Sequence, residues 1–290
     1  MATAAHWLAG ARPPTLPAAV SPVLVGSGAA AHAGGFVWWK ALLALVAALA
    51  LQVGANYAND YSDGVRGTDA ARVGPLRLVG AGLATPAAVK HAAFVAFGVA
   101  AAAGLVLAVT TTWWILVVGA TAVAAAWFYT GGSSPYGYRG LGEVSVFVFF
   151  GLVAVVGTAY LQTLEVTLLS VAGGIAVGAL ACAILVANNL RDISSDEAAG
   201  KRTLAVRIGD RRSRALFAAL VVLAYVVAAV LTVTVAAWAL LAFASLPLAQ
   251  RALRPVRTGA VGAGLVATLR DTGLTELIFA VGLTVGLLLA

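Results

Sequence analysis

Charge is scarce in this sequence. Only 10% of its 290 residues are Asp, Glu, Lys or Arg, where a soluble domain carries about 25%. That shortage, with 62% hydrophobic residues and a mean hydropathy of +0.98, excludes a soluble globular enzyme, a disordered chain and a fibre. Cysteine is nearly absent: Cys182 stands alone inside an apolar run. This excludes an intrachain disulfide framework and leaves Cys182 as a small core residue. Histidine occurs only at His6, His32 and His91, too dispersed to form a ligand set. The short alternating segments of a membrane β-barrel are also missing. What remains is an all-α polytopic membrane protein.

Nine stretches have about the 20 mostly apolar residues that cross a bilayer: 16–34, 36–60, 86–109, 112–130, 142–162, 166–191, 212–232, 235–252 and 271–290. Turn chemistry separates them. Gly34-Gly35 divides the first two, Thr85-Pro86 reads as an N-cap followed by proline at the first helical position, and Asp210 is placed to cap the seventh. With the N-terminus in the cytoplasm and the C-terminus outside, every Lys and Arg except Lys40 falls on the cytoplasmic side, as the positive-inside rule requires. The net charge of +7 then follows from topology, and no nucleic-acid partner is expected. Two long cytoplasmic loops, 61–85 and 192–211, mark the face where function is expected. The chain reads as one transmembrane domain, 1–290.

The acidic residues gather at two helix ends. Asn56, Asn59, Asp60 and Asp63 are spaced i, i+3, i+4, i+7 and share a helical face. Asn188, Asp192 and Asp196 are spaced i, i+4, i+8 and do the same. The two stretches, 56–69 and 188–197, share Asn-x-x-x-Asp and read as a weak internal repeat facing a central cavity. Carboxylates at a helix C-terminus oppose the macrodipole and are costly near a bilayer, so Asp60, Asp63, Asp69, Asp192 and Asp196 need a counter-charge. Hard oxygen ligands from two helices suit Mg²⁺; the expected ligands are Asn59, Asp63, Asp69, Asn188, Asp192 and Asp196. The plainer alternative is a pair of solvated helix ends paired with arginines.

Each acidic face is followed by a glycine-containing basic loop, with Arg72 and Arg77 after the first and Lys201 and Arg202 after the second. Divalent metal with forked Arg and Lys donors is what a diphosphate needs. Arg139, in the loop 128–143, is a further candidate. Its tyrosines, Tyr129, Tyr136 and Tyr138, are candidate interfacial residues or site residues.

These motifs resemble the two Asp-rich motifs of UbiA-type intramembrane prenyltransferases. The runs Ala55–Gly64, Arg72–Arg77, Tyr129-Thr-Gly-Gly, Pro135–Tyr138, Gly140–Glu143, Asn188–Asp192 and Gly200–Gly209 are similar, more narrowly, to the dihydroxynaphthoate-accepting branch of that family. The resemblance extends over essentially the whole chain. It implies nine transmembrane helices around a central cavity in a bacterial plasma membrane. It also implies Mg²⁺-dependent prenyl transfer from a polyprenyl diphosphate to 1,4-dihydroxy-2-naphthoate in menaquinone biosynthesis, with no obligate protein partner. On this reading Asp63 and Asp192 hold the metal, Tyr129 stabilises an allylic cation through its ring face, and Asp60 deprotonates or positions the acceptor. The spacing from Asp63 to Asp69 departs from the commoner Asp-x-x-x-Asp. Two other readings stand beside this one: a relative using another acceptor such as 4-hydroxybenzoate, and a cation-coupled secondary transporter.

Overall fold

The computed structural model describes residues 2–68 and 76–290. All regular structure in these residues is helical. The short α1 (Ala4–Gly10) precedes α2 (Pro17–His32), α3 (Trp38–Arg66), α4 (Pro86–Thr110) and α5 (Ile115–Phe128). Next come α6 (Gly142–Val146), a π-helical stretch (Phe147–Val153) and α7 (Ala154–Thr163), which form one unbroken helix. Then follow α8 (Leu168–Arg191), α9 (Ile193–Ala198), α10 (Leu204–Thr234), α11 (Leu246–Arg257) and α12 (Val266–Leu288). This is a multi-pass membrane protein.

Among the described residues, six helices are long and apolar enough to cross a membrane: Trp38–Arg66, Pro86–Thr110, Gly142–Thr163, Leu168–Arg191, Leu204–Thr234 and Gly262–Leu288. The other three expected spans are helical but shorter or divided. α2 starts at Pro17, runs through Pro22 and has 16 residues, α5 has 14, and 235–252 divides into a 3-10 stretch, Ala237–Ser245, and α11. Hydropathy sees composition and not hydrogen-bond continuity, so it joined what local geometry splits.

The expected caps are seen at α4, where Thr85 Oγ1 accepts from the Ala88 N–H at 3.2 Å ahead of Pro86. Asp210 behaves differently. Gly209 (φ +80°) breaks α10, and Asp210 pairs with Arg214 one turn on at 2.7 Å instead of capping. Arg214 also donates to the carbonyls of Val256 and Ala260, fastening α10 to the end of α11.

α8 is the central helix. Small residues line it, so its neighbours approach closely, and most of its length is buried. It packs against α10, α12 and the π stretch, while α3 packs along α4 and α12 along α2. A cavity of about 920 Å³ opens between α2–α3–α4–α5 on one side and the α6–α7 helix with α8 on the other. That volume lies near the top of the range for small-molecule sites.

Candidate active site

One end of the cavity holds nearly all of its charge. Asn59, Asp63, Arg77, Asn188, Asp192, Asp196 and Lys201 line that end together. The rest of the wall is dominated by alanine, valine, leucine and phenylalanine.

The first acidic face is wholly helical, because α3 continues to Arg66 and ends on Gly67 at φ +71°, the left-handed C′ position that glycine fills without Cβ strain. Asp63 is buried and stands at the centre of a three-way contact. Arg77 Nη2 lies 3.3 Å from its Oδ2 and Lys201 Nζ 3.4 Å from its Oδ1. The Tyr138 hydroxyl donates to the same Oδ1. The Lys201 ammonium also sits 4.7 Å from the centre of the Tyr138 ring. Burial, followed by the charge of Asp63, pushes the Tyr138 phenol above its ordinary pKa, so Tyr138 donates as a neutral phenol. Asn59 Oδ1 accepts from Thr130 Oγ1 at 2.7 Å, and Arg66 reaches the carbonyls of Thr130 and Gly132. These contacts tie the loop after α5 to the end of α3.

The second face is not one continuous helix. α8 stops at Arg191, Asp192 has non-helical angles (φ −100°, ψ 7°), and Asp196 lies in α9. Asn188, Asp192 and Asp196 nevertheless all reach the cavity. Arg191 grips Asp192 with two bonds of 2.6 Å and gives a third, at 2.9 Å, to Asn188 Oδ1. The Lys201 N–H donates to the Asp196 carbonyl at 2.8 Å. Because the Lys201 side chain also touches Asp63, the two acidic stretches are joined through one residue.

Tyr129 lines the cavity and meets Tyr136 edge to face, ring centres 5.5 Å apart. Glycine permits this placement: a Cβ at Gly142 would sit 2.8 Å from the Tyr129 hydroxyl.

Three expectations are corrected. Asp60 is buried and does not line the cavity; its oxygens accept the backbone N–H groups of Leu78 (2.7 Å) and Val79 (3.1 Å). It therefore anchors the strand of chain that carries Arg77, and it has no surface to offer an acceptor. Arg139 and Arg202 are exposed and outside the cavity lining. Residues 136–140 and 199–203 pin each other by backbone, with the Arg202 N–H on the Tyr138 carbonyl at 2.9 Å, and this turns both side chains outward. Asp69 and Arg72 lie outside the described residues. The sequence gives no site assignment to Arg191, Arg12 or Asn189, while Tyr138 is among its candidates. Arg191 and Tyr138 sit beside acids in the folded chain. Arg12, held at φ +56° before two prolines, lines the charged end, as does Asn189, which donates to Glu143 Oε1 at 2.9 Å. The signals in the sequence are the position of Arg191 beside Asp192, the run Asn188–Asp192 that includes Asn189, and the tyrosines of the loop 128–143.

The role of Asp60 gives a clean test. Asp60→Ala strands two buried N–H groups, at about 1–3 kcal/mol each, and is expected to lower the thermal midpoint in detergent strongly. Asp60→Asn keeps one acceptor oxygen and is expected to lower it about half as far. Equal midpoints for both variants and wild type would remove the anchoring role.

Residues 19–265 match the model of the UbiA prenyltransferase family. The chain belongs to the UbiA prenyltransferase family. It is 54% identical over 280 residues to the 1,4-dihydroxy-2-naphthoate octaprenyltransferase of Mycobacterium tuberculosis, covering 97% of this chain and 96% of that one. Its fold is shared with the UbiA homolog of Aeropyrum pernix (TM-score 0.72, 18% identity, covering 93% of this chain and 97% of that one). It is shared equally with the UbiA homolog of Archaeoglobus fulgidus bound to DMAPP and Mg²⁺ (TM-score 0.68, 15% identity, 98% and 99%). Within this family fold, the charged end described above is where the two acidic helix ends converge.

The donor set suits a hard divalent cation. Carboxylates and carboxamide oxygens approach from two helices, without thiolate or imidazole. Among the described residues, no three of His, Cys, Asp and Glu are grouped closely enough to hold a metal by themselves. Asp63 and Asp192 are each held by cations from the protein, so a cation here would share its coordination with ligand oxygens, as Mg²⁺ commonly does.

Proposed function

We propose that this protein transfers a polyprenyl group from a polyprenyl diphosphate to 1,4-dihydroxy-2-naphthoate, releasing diphosphate and CO₂ and giving demethylmenaquinol for menaquinone biosynthesis. The observation that carries this is the cavity itself, one charged end continuous with an apolar trough, in a chain 54% identical to a naphthoate octaprenyltransferase. The trough suits a prenyl tail and the charged end suits a diphosphate. Its opening toward the cytoplasm, in a bacterial plasma membrane, is supported by the one-sided distribution of Lys and Arg.

Asn59, Asp63, Asn188, Asp192 and Asp196 are the residues that would hold Mg²⁺. When bound, Mg²⁺ neutralises diphosphate oxygens and favours departure of that group. Arg77 and Lys201, now paired with Asp63, are poised to exchange that partner for phosphate oxygens. They then stabilise the charge that develops as the allylic C–O bond breaks and its electron pair goes to the diphosphate. The apolar walls exclude water that would quench the cation, and the face of Tyr129 attracts it. A C–C bond forms to the electron-rich naphthoate ring, whose carboxylate leaves as CO₂.

Purified protein in detergent, with Mg²⁺ and farnesyl or longer prenyl diphosphate, is expected to prenylate 1,4-dihydroxy-2-naphthoate but not 4-hydroxybenzoate. EDTA is expected to stop turnover and excess Mg²⁺ to restore it. Transfer only to 4-hydroxybenzoate would keep the chemistry and overturn the acceptor.

A further inference from the structure

One polar side chain of the cavity wall is aimed by a partner that the mechanism above does not use. Asn189, only 6% exposed, lines the cavity from the last turn of α8. Its Nδ2 donates to Glu143 Oε1 at 2.9 Å. Glu143 is itself buried and does not line the cavity. It stands in the first turn of the Gly142–Thr163 helix, where the positive end of the macrodipole suits a carboxyl group. The Cys182 thiol, about two turns before Asn189 on α8, donates to the Glu143 carbonyl at 3.0 Å. α8 thus holds both the main chain and the side chain of Glu143. Glu143 Oε2 is buried without a hydrogen-bond partner among the described residues, so Asn189 is the only side chain among them that bonds to this carboxyl.

That bond settles which way the carboxamide faces. Its NH₂ is committed to Glu143, so its Oδ1 points away from Glu143. This oxygen accepts from no described residue and is not enclosed, and the surface it opens onto is the cavity. Asn189 is also set apart from the acidic face of α8. It is turned about 100° from Asn188 and shares a face with Leu185, one turn earlier. Leu185 Cδ2 and the Tyr129 hydroxyl lie 3.3 Å and 2.8 Å from where a Cβ on Gly142 would stand. The open carboxamide oxygen and the Tyr129 hydroxyl therefore border one niche over Gly142 and Glu143. A lone acceptor oxygen, beside the metal face and not on it, selects a neutral O–H donor. A diphosphate offers acceptors only, and a prenyl tail offers neither kind of group. The dihydroxynaphthoate offers two hydroxyls. Its 1-hydroxyl, ortho to the carboxylate, bonds internally to that group, whereas its 4-hydroxyl keeps its proton for a partner.

We propose that Asn189 accepts a hydrogen bond from the 4-hydroxyl of the naphthoate and that Glu143 is the positioning residue that aims it. This inference rests on the prenyl-transfer reading. The bond pins the ring at a hydroxyl remote from its carboxylate. A site built to pair a hydroxyl discriminates against a molecule without one, because the site's own polar group is then left unpaired.

The experiment measures prenyl transfer to 1,4-dihydroxy-2-naphthoate in detergent for wild type, Asn189→Leu, Glu143→Leu and Glu143→Gln. The competitive inhibitor is 1-hydroxy-2-naphthoate, which lacks the 4-hydroxyl. Asn189→Leu keeps the size of the side chain and loses the acceptor. It is expected to raise KM for the naphthoate about 10–100-fold, the cost of stranding a buried hydroxyl, with KM for the prenyl diphosphate and the Mg²⁺ requirement within about two-fold of wild type. The Ki of 1-hydroxy-2-naphthoate is expected to stay at its wild-type value, because that molecule never makes the bond. Glu143→Leu is expected to raise KM for the naphthoate in the same sense. Glu143→Gln, whose carbonyl oxygen still accepts from Asn189, is expected to restore it. An unchanged KM for the naphthoate in Asn189→Leu overturns the proposal. So does a rise in Ki equal to the rise in KM, which would make the effect steric, or a rise confined to the diphosphate and Mg²⁺. A Glu143→Gln profile matching that of Glu143→Leu overturns the positioning role. No transfer by wild type overturns the prenyl-transfer reading itself. Combining Asn189→Leu with Glu143→Leu replaces both partners of the buried bond by apolar groups, which is nearly neutral for folding, so this double variant decides if a single one fails to fold.

Discussion

Asp63→Asn is expected to lower kcat/KM for prenyl transfer by about 10²–10³, the loss typical when one preorganised electrostatic contact to a developing charge is removed. Asp63 is the acid on which Arg77, Lys201 and Tyr138 converge. These groups come from three separate loops, so one carboxylate sets the spacing of both cations that are to meet the diphosphate. The Asn variant keeps the side chain's size and an acceptor oxygen. It loses the charge that draws the two cations together and that the proposed divalent ion would need. Asp63→Ala is less informative, because breaking the buried ion pairs to Arg77 and Lys201 destabilises by about 3–5 kcal/mol and mixes folding with chemistry. Steady-state kinetics of the Asn variant, beside its thermal midpoint, make the check. Activity within a few-fold of wild type would show that Asp63 is structural only.

A large stability effect free of any site chemistry is expected on α12. Gly282 and Gly286 lie one turn apart and face the backbone of the Ala237–Ser245 stretch. A Cβ at Gly286 would stand 2.2 Å from the Trp238 carbonyl oxygen, and one at Gly282 would stand 2.3 Å from that of Leu241. Both neighbours are main chain, so neither can rotate aside, and small residues at such crossings are what allow helices in a membrane to pack closely. Gly286→Val is expected to destabilise by about 3 kcal/mol or more, the upper range for overpacking. Gly98→Ala is the control: nothing lies within 4 Å of its added Cβ, and it is expected to be neutral or slightly stabilising. Thermal unfolding of the two variants in one detergent separates them. Similar midpoints would mean that the α12 crossing relaxes freely.

Much of the architecture was legible because its signals are local. Six of the apolar runs emerge as long helices, and the i, i+3, i+4, i+7 pattern from Asn56 to Asp63 holds because α3 winds through all four residues. What escaped the sequence depends on partners far along the chain. Asp60 and Asp63 share a face by spacing, yet one meets backbone N–H groups 18 and 19 residues away and the other meets Lys201, 138 residues away. No spacing rule separates those fates. The outward turn of Arg139 and Arg202 follows from backbone pairing between two loops, which carries no side-chain code. For Arg191, sequence shows a cytoplasmic cation within the run Asn188–Asp192 but not that it folds back onto its neighbour.

The π-helical stretch Phe147–Val153 carries a consequence for how this helix tolerates change in length. Positions 145, 149, 153, 157 and 161 all line the cavity, a step of four residues. In a uniform α-helix each such step overshoots a full turn by about 40°, so five positions in that register would spiral off the wall. Wider winding over seven residues absorbs much of the drift, while Gly151 keeps its contact with Gly174 and Gly178. The helix is thus phased like a gear: tightening all seven residues to α winding would turn everything after them around the axis, whereas loss of one residue together with that tightening would largely restore the phase. With the winding tightened and no residue lost, Gly157 and Tyr160 would face away from the trough with no change in their own identity.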